Sequence, residues 1–176
     1  MTPMTPSSQS VHIRSAQPAD VPLIHELIEG LATYEKLRHD CVATDALLHS
    51  ALFGARPYAE VVIAEQDGNA AGFALFLHNF STFLARPGIY LEDLFVRPSH
   101  RGHGVGKALL QYLAAVAVER QCGRLEWSVL DWNADAIGFY ESLGARPQDE
   151  WTVYRVTGDA LTLLANGDVT EGSNNE

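Results

Sequence analysis

The stretch that decides the fold is residues 91–107, which reads LEDLFVRPSHRGHGVGK. Its first part, through Val96, is predicted to be a strand, which Pro98 ends because proline has no amide hydrogen to offer a neighbouring strand. Three glycines follow at alternate positions, and a helix is predicted from Gly104. Glycine lets backbone amides approach a ligand closely, and a helix start adds unpaired amides and a positive dipole end. The stretch therefore predicts a strand, loop and helix that together bind phosphate.

Two common phosphate-binding motifs do not fit this loop. The Walker pattern requires a glycine where Arg101 stands and a hydroxyl residue where Ala108 stands, which speaks against a nucleotide triphosphatase. The dinucleotide fingerprint GxGxxG fails because the glycines fall at 102, 104 and 106. What remains is Arg-x-x-Gly-x-Gly, from Arg101 to Gly106. A glycine-rich turn without a ligand is the alternative that the loop alone leaves open.

A second motif, residues 133–145, reads NADAIGFYESLGA. Asn133 is a residue type that begins helices, and Gly144 is one that ends them. With both motifs present in this order, the sequence resembles the GNAT acetyltransferase superfamily. In that family the glycine loop holds a pyrophosphate, and an Asn begins the helix that carries a Phe-Tyr pair, here Phe139 and Tyr140.

Three further segments resemble the diamine (spermidine/spermine) and thialysine N-acetyltransferase-like branch of that superfamily. They are Tyr34-Glu35, residues 90–96 and Trp132-Asn133, and the similarity extends over roughly residues 11–160. The resemblance implies an enzyme that transfers the acetyl group of acetyl-CoA to a primary amine of a small molecule. The amine would attack directly in a ternary complex, without a covalent acyl-enzyme. The resemblance also implies a homodimer.

Residues for the co-substrate acetyl-CoA follow from the same resemblance. The backbone of the strand end is expected to pair with the pantetheine arm, and the loop amides are expected to hold the pyrophosphate, with Lys107 alternatively a solvated surface residue. The expected cofactor-binding residues are Leu94, Phe95, Val96, Arg101, Gly102, His103, Gly104, Val105, Gly106, Lys107, Asn133, Ala136 and Tyr140.

Two residues are expected to carry the chemistry. Tyr140 lies where the family places the acid that protonates the leaving thiolate. An alkylammonium has a pKa of about 10.4, so its neutral form costs roughly 4–5 kcal/mol at pH 7, and a proton acceptor is needed. Glu92 is the candidate base, acting through water. Pairing of Glu92 with the ammonium of the substrate is the alternative role.

The substrate side is expected to be acidic and aromatic. Carboxylates suit ammonium groups, and aromatic rings bind them through cation–π contacts. The expected substrate-binding residues are Tyr34, Glu35, Glu92, Asp93, Glu126, Trp127, Ser128 and Glu150. Residues 78–87 contain no acidic side chain and one arginine, Arg86. This leaves room for a substrate with a carboxylate, such as thialysine, for which Arg86 is the first candidate partner.

Composition limits the other classes of function. The formal net charge is -10, from 12 basic and 22 acidic residues, with no basic cluster, so no nucleic-acid partner is expected. No apolar run approaches the about 20 residues that span a bilayer, and the N-terminus has no signal-peptide pattern, so a cytoplasmic protein is expected. No metal is expected, because no ligand set accompanies His100 and His103. A protein lysine or N-terminal acetyltransferase and a non-catalytic acetyl-CoA-binding module remain rival readings.

The pattern of elements predicts the order β-α-α-β-β-β-α-β-α-β, which ends on a strand at Trp151–Val156. This is an α/β (α+β) arrangement, and the resemblance implies the GNAT fold, with a mixed central sheet of about six to seven strands and about four helices on both faces. One acetyltransferase domain is predicted over 11–165. The polar ends, 1–10 and 166–176, are predicted to be disordered tails.

Overall fold

The structure is a computed structural model that describes residues 10–167. These residues form two compact units, 10–132 and 133–167. Most of both predicted tails, residues 1–9 and 168–176, lies outside the described residues. Asn166 and Gly167, which were assigned to the second tail, directly follow a helix. The single domain over 11–165 stays a prediction.

A five-stranded mixed sheet forms the centre of the first unit. Its strands are β1 Val11–Ser15, β2 Glu60–Gln66, β3 Asn69–Ser81, β4 Arg86–Val96 and β5 Leu125–Trp127. They lie side by side in chain order, and every pair is antiparallel except β4 and β5, which are parallel. The predicted hairpin at Asp67–Asn69 joins β2 to β3 and is confirmed. The strand predicted over 125–130 is confirmed only as far as Trp127.

Three helices of the first unit cover the two faces of the sheet. They are α1 Val21–Tyr34, α2 Asp45–Phe53 and α3 Val105–Glu119. Ile24 and Leu27 of α1 pack with Phe73 of β3 in the core of one face. Phe76 is three residues after Phe73 on β3 and therefore points to the opposite face, since side chains alternate along a strand. On that face its ring contacts the guanidinium of Arg120, which follows α3. The helix predictions and the placement of helices on both faces are confirmed.

The predicted cap of α2 is confirmed in atomic detail. The Oγ1 atom of Thr44 accepts a hydrogen bond from the amide of Leu47 at 3.3 Å. A side-chain oxygen at this position satisfies one of the amides that the first helical turn leaves without a partner.

The second unit contains α4 Ala134–Ser142 and α5 Gly158–Ala165. The prediction of a strand at Trp151–Val156 is wrong, because these residues have no regular structure and Tyr154 is 91% exposed. Aromatic and β-branched side chains fit a pleated surface, but a strand also needs a neighbouring strand to bond its backbone. Among the described residues there are thus five strands rather than six to seven, and five α-helices rather than about four.

Candidate active site

The end of β4 extends beyond the end of β5. The two strands pair only at three positions, from Ile89↔Leu125 to Leu91↔Trp127. Residues 92–96 of β4 therefore have no strand beside them on that side within the described chain. Backbone amides and carbonyls of a sheet edge seek hydrogen-bond partners, so this open edge can bind an extended ligand. Phe95 is buried here, and Leu94 and Val96 are half-buried.

Glu92 is the extra residue of a β-bulge in β4. The register with β3 passes from Leu91↔Phe76 to Asp93↔Leu75, which leaves Glu92 without an opposite residue. A bulge reverses the alternation of side chains along the strand. Asp93 consequently points toward the face that α1 covers, together with Leu75, which packs against the core on that face. Glu92 itself is exposed.

Three carboxylates lie together beside the open edge. Burial, and to a smaller extent repulsion from Glu92 and from Glu35, raises the pKa of Asp93 to about 6. Glu35 directly follows the last residue of α1, and burial raises its pKa as well. Glu35 and Glu92 make ionisation of Asp93 harder, and a cation would relieve this repulsion. The structure thus brings together three residues that the sequence predicted separately.

The glycine loop presents backbone amides that the helix does not use. Gly102 and Gly104 have φ values of 78° and 83°, in the left-handed region that glycine adopts without steric cost. Gly104 precedes α3, and no side chain among residues 10–167 caps that helix. The amides of its first turn, which includes Val105, Gly106 and Lys107, therefore have no intrahelical partner. Such a cluster of amides at a positive dipole end binds anions.

Arg101, at the start of this loop, packs against two aromatic rings and one backbone carbonyl. Its guanidinium carbon lies 4.7 Å from the centre of the Tyr34 ring and 5.7 Å from the centre of the Phe95 ring. Its Nε donates a hydrogen bond to the carbonyl of Val96 at 3.0 Å. The sequence predicted a phosphate contact for Arg101. In the structure its guanidinium contacts the end of α1 and the end of β4.

Aromatic contacts continue from Tyr34 to the last residue of the first unit. The rings of Tyr34 and Trp132 are 6.1 Å apart, and the ammonium of Lys36 lies 5.1 Å from the centre of the Trp132 ring. Trp132 is half exposed. The end of α1 thus combines aromatic surface with the carboxylate of Glu35, which is the chemistry that an alkylammonium prefers.

A polar cluster surrounds Glu126 on β5. One carboxylate oxygen, Oε2, accepts a hydrogen bond from Nδ2 of Asn79 at 2.9 Å and pairs with Nε of Arg124 at 2.7 Å. Nearby, the hydroxyls of Tyr90 and Ser128 are 2.9 Å apart. Trp127, which lies between Glu126 and Ser128 in the sequence, is half-buried.

Sequence reasoning missed both partners of Glu126. Arg124 directly precedes β5, two residues before Glu126, and this spacing, which puts both side chains on one side of the sheet, was a usable signal. Asn79 could not have been found, because its approach to Glu126 depends on the register of the β3–β4 hairpin.

The remaining predicted site residues lie in the second unit. Asn133 caps α4, with its Oδ1 accepting a hydrogen bond from the amide of Ala136 at 3.3 Å. Tyr140 is half-buried, and its ring centre lies 5.4 Å from that of Phe139. Glu150 is exposed between α4 and α5. The roles of Asn133, Ala136, Tyr140 and Glu150 stay predictions.

Residues 10–167 carry no cluster of metal ligands and no membrane-spanning helix. No group of three or more His, Cys, Asp and Glu side chains in that range could hold a metal ion. None of the helices in the described part of the chain has the length and apolar character needed to cross a bilayer.

Known proteins are similar to this chain in sequence and fold. The profile of the acetyltransferase (GNAT) family matches residues 25–145. An L-ornithine N5-acetyltransferase of Arabidopsis thaliana is 38% identical over 86% of this chain and 86% of its own. A thialysine N-epsilon-acetyltransferase of Sus scrofa is 35% identical over 89% of this chain and 98% of its own. The structure of an integron cassette protein from the mobile metagenome of V. cholerae superposes with a TM-score of 0.74, at 31% identity, over 89% of this chain and 98% of that one. The chain therefore belongs to the GNAT acetyltransferase family, whose co-substrate is acetyl-CoA, and it is an N-acetyltransferase.

Proposed function

We propose that this enzyme acetylates a primary amine of a small cationic acceptor, a diamine or a basic amino acid of the ornithine or thialysine type. The observation that carries the proposal is the group of carboxylates formed by Glu35, Glu92 and Asp93 beside the open edge of β4. Their mutual repulsion favours binding of a compact cation. The names of the ornithine and thialysine acetyltransferases among the relatives support the same class of acceptor.

Acetyl-CoA fits the open edge and the glycine loop. The pantetheine arm would bond the backbone of Leu94, Phe95 and Val96 along this open edge, as an added strand does at a sheet edge. The phosphates would receive the amides of residues 102–107, and Lys107, which is exposed, would add a charge-assisted contact. Asn133 and Ala136, at the start of α4, are the remaining residues proposed to contact acetyl-CoA.

The reaction needs three proton and charge adjustments. The bound ammonium loses a proton to Glu92 through water, because only the neutral amine is a nucleophile. The amine nitrogen then attacks the thioester carbonyl, whose oxygen gains negative charge and is stabilised by an amide of the β4 edge. The carbon–sulfur bond breaks as Tyr140 donates its proton to the departing thiolate, and the second proton that the nitrogen loses on becoming an amide restores the phenol of Tyr140. The products are an acetamide and the free thiol of CoA.

Two further properties, the oligomeric state and the location, belong to the proposal. The resemblance supports a homodimeric state, and we assign the enzyme to the cytoplasm on its composition. Neither a nucleic acid nor a membrane has a role in the proposed reaction, and the acidic net charge of -10 is consistent with this.

A thiol-release assay with acetyl-CoA tests the proposal. The acceptors are putrescine, spermidine, spermine, ornithine, thialysine, lysine and a panel of lysine-containing and free N-terminal peptides. We expect a small amine to give the highest kcat/KM. A preference for peptides would replace the proposal with protein acetylation. Binding of acetyl-CoA without turnover of any acceptor would identify a non-catalytic binding module.

A further inference from the structure

Glu126 is held in place through only one of its two carboxylate oxygens. Asn79 and Arg124 both contact Oε2, at 2.9 and 2.7 Å. The other oxygen, Oε1, has no hydrogen-bond or ion-pair partner among residues 10–167. A fixed carboxylate with one free oxygen is ready to accept a hydrogen bond from an ammonium group.

Only one of the three guanidinium nitrogens of Arg124 has a partner among the described residues. Its contact to Glu126 runs through Nε, and neither Nη atom has a partner in the described part of the chain. The two Nη groups form one side of a planar fork that matches the geometry of a carboxylate. An acceptor oxygen and a pair of carboxylate-binding donors therefore stand side by side.

Gly88 of β4 allows both side chains to lie close to the strand. A Cβ atom at this position would come within 2.3 Å of Oδ1 of Asn79 and within 3.1 Å of Cγ of Arg124. The two side chains thus pass directly over the backbone of β4, and their contacts to Glu126 follow from this packing. This distinguishes the cluster from an incidental pair of exposed charges.

The cluster shares a face with the three carboxylates. Tyr90, the residue opposite Glu126, lies across from Leu77, and Asp93 lies across from Leu75, so both point to the face that α1 covers. Two to three residues separate Tyr90 from the bulge and Asp93, which corresponds to about 7–10 Å along the strand. From its α-carbon to its terminal nitrogen, the side chain spans about 5 Å in ornithine and roughly 6–7 Å in thialysine, given bonds of about 1.5–1.8 Å.

We propose that Arg124 and Glu126 form the subsite that binds the α-carboxylate and α-ammonium of an amino-acid acceptor. The α-ammonium donates to Oε1 of Glu126, and the α-carboxylate accepts from the Nη groups of Arg124. The side-chain amine then extends toward Glu92 and Asp93. Asn79 is a positioning residue that holds Glu126. This assignment rests on the proposed function and narrows it to a basic amino acid with a free α-amino-acid end.

Arg124 takes the role that the sequence first suggested for Arg86. Arg86 begins β4 beside the turn and is exposed. No ion pair or side-chain hydrogen bond of Arg86 to another described residue is found. Arg124 has a fixed carboxylate beside it and Arg86 does not, so only Arg124 can form the paired site that a zwitterion requires.

The test compares kinetics with ornithine and with putrescine, which is ornithine without its carboxylate. We expect Arg124→Gln to raise KM for ornithine about tenfold or more, which is the fold-change expected from losing a charge-assisted contact. KM for putrescine should change by less than threefold, since putrescine has nothing for Arg124 to bind. Glu126→Gln should raise KM for both, because both carry a second ammonium. Arg124→Lys should recover part of the loss with ornithine.

Arg86→Gln is the matched control, since it removes the same charge from another exposed arginine, at the start of β4. On this proposal it leaves the ornithine-to-putrescine ratio of kcat/KM within twofold of that of the parent enzyme. An equal loss with both acceptors in Arg124→Gln, or a selective loss in Arg86→Gln, would overturn the assignment. Melting temperatures of all variants separate misfolding from lost recognition. If the parent enzyme acetylates no small amine of the acceptor panel, the proposed function fails, and this outcome differs from a failure of the subsite.

Discussion

The guanidinium of Arg101 lies over the ring of Tyr34, with 4.7 Å between its central carbon and the ring centre. Arg101 precedes the glycines of the phosphate loop, and Tyr34 ends α1 beside the carboxylates. This contact and the hydrogen bond from Arg101 to the Val96 carbonyl hold the glycine loop against the end of α1 and the end of β4. One side chain therefore links the part of the site that would hold phosphate to the part that would hold the amine.

Arg101→Met should lower stability because it removes a cation–π contact and a hydrogen bond while keeping most of the side-chain length. We expect a loss of about 1–2 kcal/mol in the free energy of unfolding, measured by urea denaturation. Arg101→Lys, which keeps the charge over Tyr34 but loses the planar fork, should lose less. If Arg101→Met leaves stability unchanged but greatly weakens acetyl-CoA binding, the guanidinium contacts the phosphates instead of stabilising the loop.

Two substitutions at Gly104 test the loop as a phosphate site. Asn and Asp tolerate the left-handed backbone better than other side chains, and a Cβ at this position meets no atom within 4 Å. Gly104→Asp should weaken acetyl-CoA binding at least tenfold more than Gly104→Asn, because only the former brings a negative charge toward phosphate. Calorimetric titration measures both affinities. Equal affinities for the two variants would mean that the loop does not hold the phosphates.

Most elements of the fold could be predicted because each has a local signal. The spacing of Ile24 and Leu27 predicted α1, Thr44 marked the start of α2, and Pro98 marked the end of β4. The wrong strand at Trp151–Val156 shows the limit of such signals. Side-chain preference describes what a segment could become, and the presence of a partner strand decides what it is.

Within the site, the sequence identified residues but not their relationships. Glu92 and Asp93 were both predicted, yet the bulge that turns Asp93 toward α1 depends on the register with β3, which one strand cannot reveal. The contact from Asn79 to Glu126 depends on the same register and on the parallel pairing of β5. Contacts of this kind arise from long-range pairing and carry no local pattern.

Asp93→Asn should stabilise the protein at neutral pH but not at acidic pH. The folded-state pKa of Asp93 is raised to about 6, from 3.8, mainly by burial. Below pH 4 the carboxyl is protonated in both states, whereas between pH 4 and 6 the unfolded chain ionises first, so stability falls as the pH rises. Above pH 6 the full cost applies, at most about 3 kcal/mol.

Urea denaturation at pH 4 and pH 8 measures this difference. The variant should exceed the parent protein only at pH 8, by about 1–3 kcal/mol. Asp131→Asn, at an exposed carboxylate, is the control and should give the same small difference at both pH values. A gain for Asp93→Asn that does not depend on pH would mean that Asp93 ionises as easily in the folded chain as in the unfolded one.

Two glycines within helices should respond oppositely to alanine. A Cβ on Gly30 of α1 would come within 2.8 Å of the Phe95 ring, whereas a Cβ on Gly138 of α4 meets nothing within 4 Å. Gly138→Ala should stabilise α4 by up to about 1 kcal/mol through helix propensity. Gly30→Ala gains the same propensity but displaces a buried ring, and we expect a net loss of about 1–2 kcal/mol. Thermal unfolding and hydrogen exchange of α4 amides measure both, and a stabilising Gly30→Ala would show that α1 can move away from β4 without cost.

Tyr140→Phe should separate chemistry from binding. The substitution keeps the ring and removes the only proton that Tyr140 can donate, so we expect kcat to fall about 10²–10⁴-fold with acetyl-CoA affinity nearly unchanged. Tyr154→Phe makes the same chemical change at an exposed residue and should leave kcat unaltered. If Tyr140 protonates the leaving thiolate, the defect must shrink with an acetyl thioester of a more acidic aromatic thiol, because such a thiolate leaves without a proton. A defect of equal size with both thioesters would assign Tyr140 to positioning, because changing the leaving group alters only how much the thiolate needs a proton.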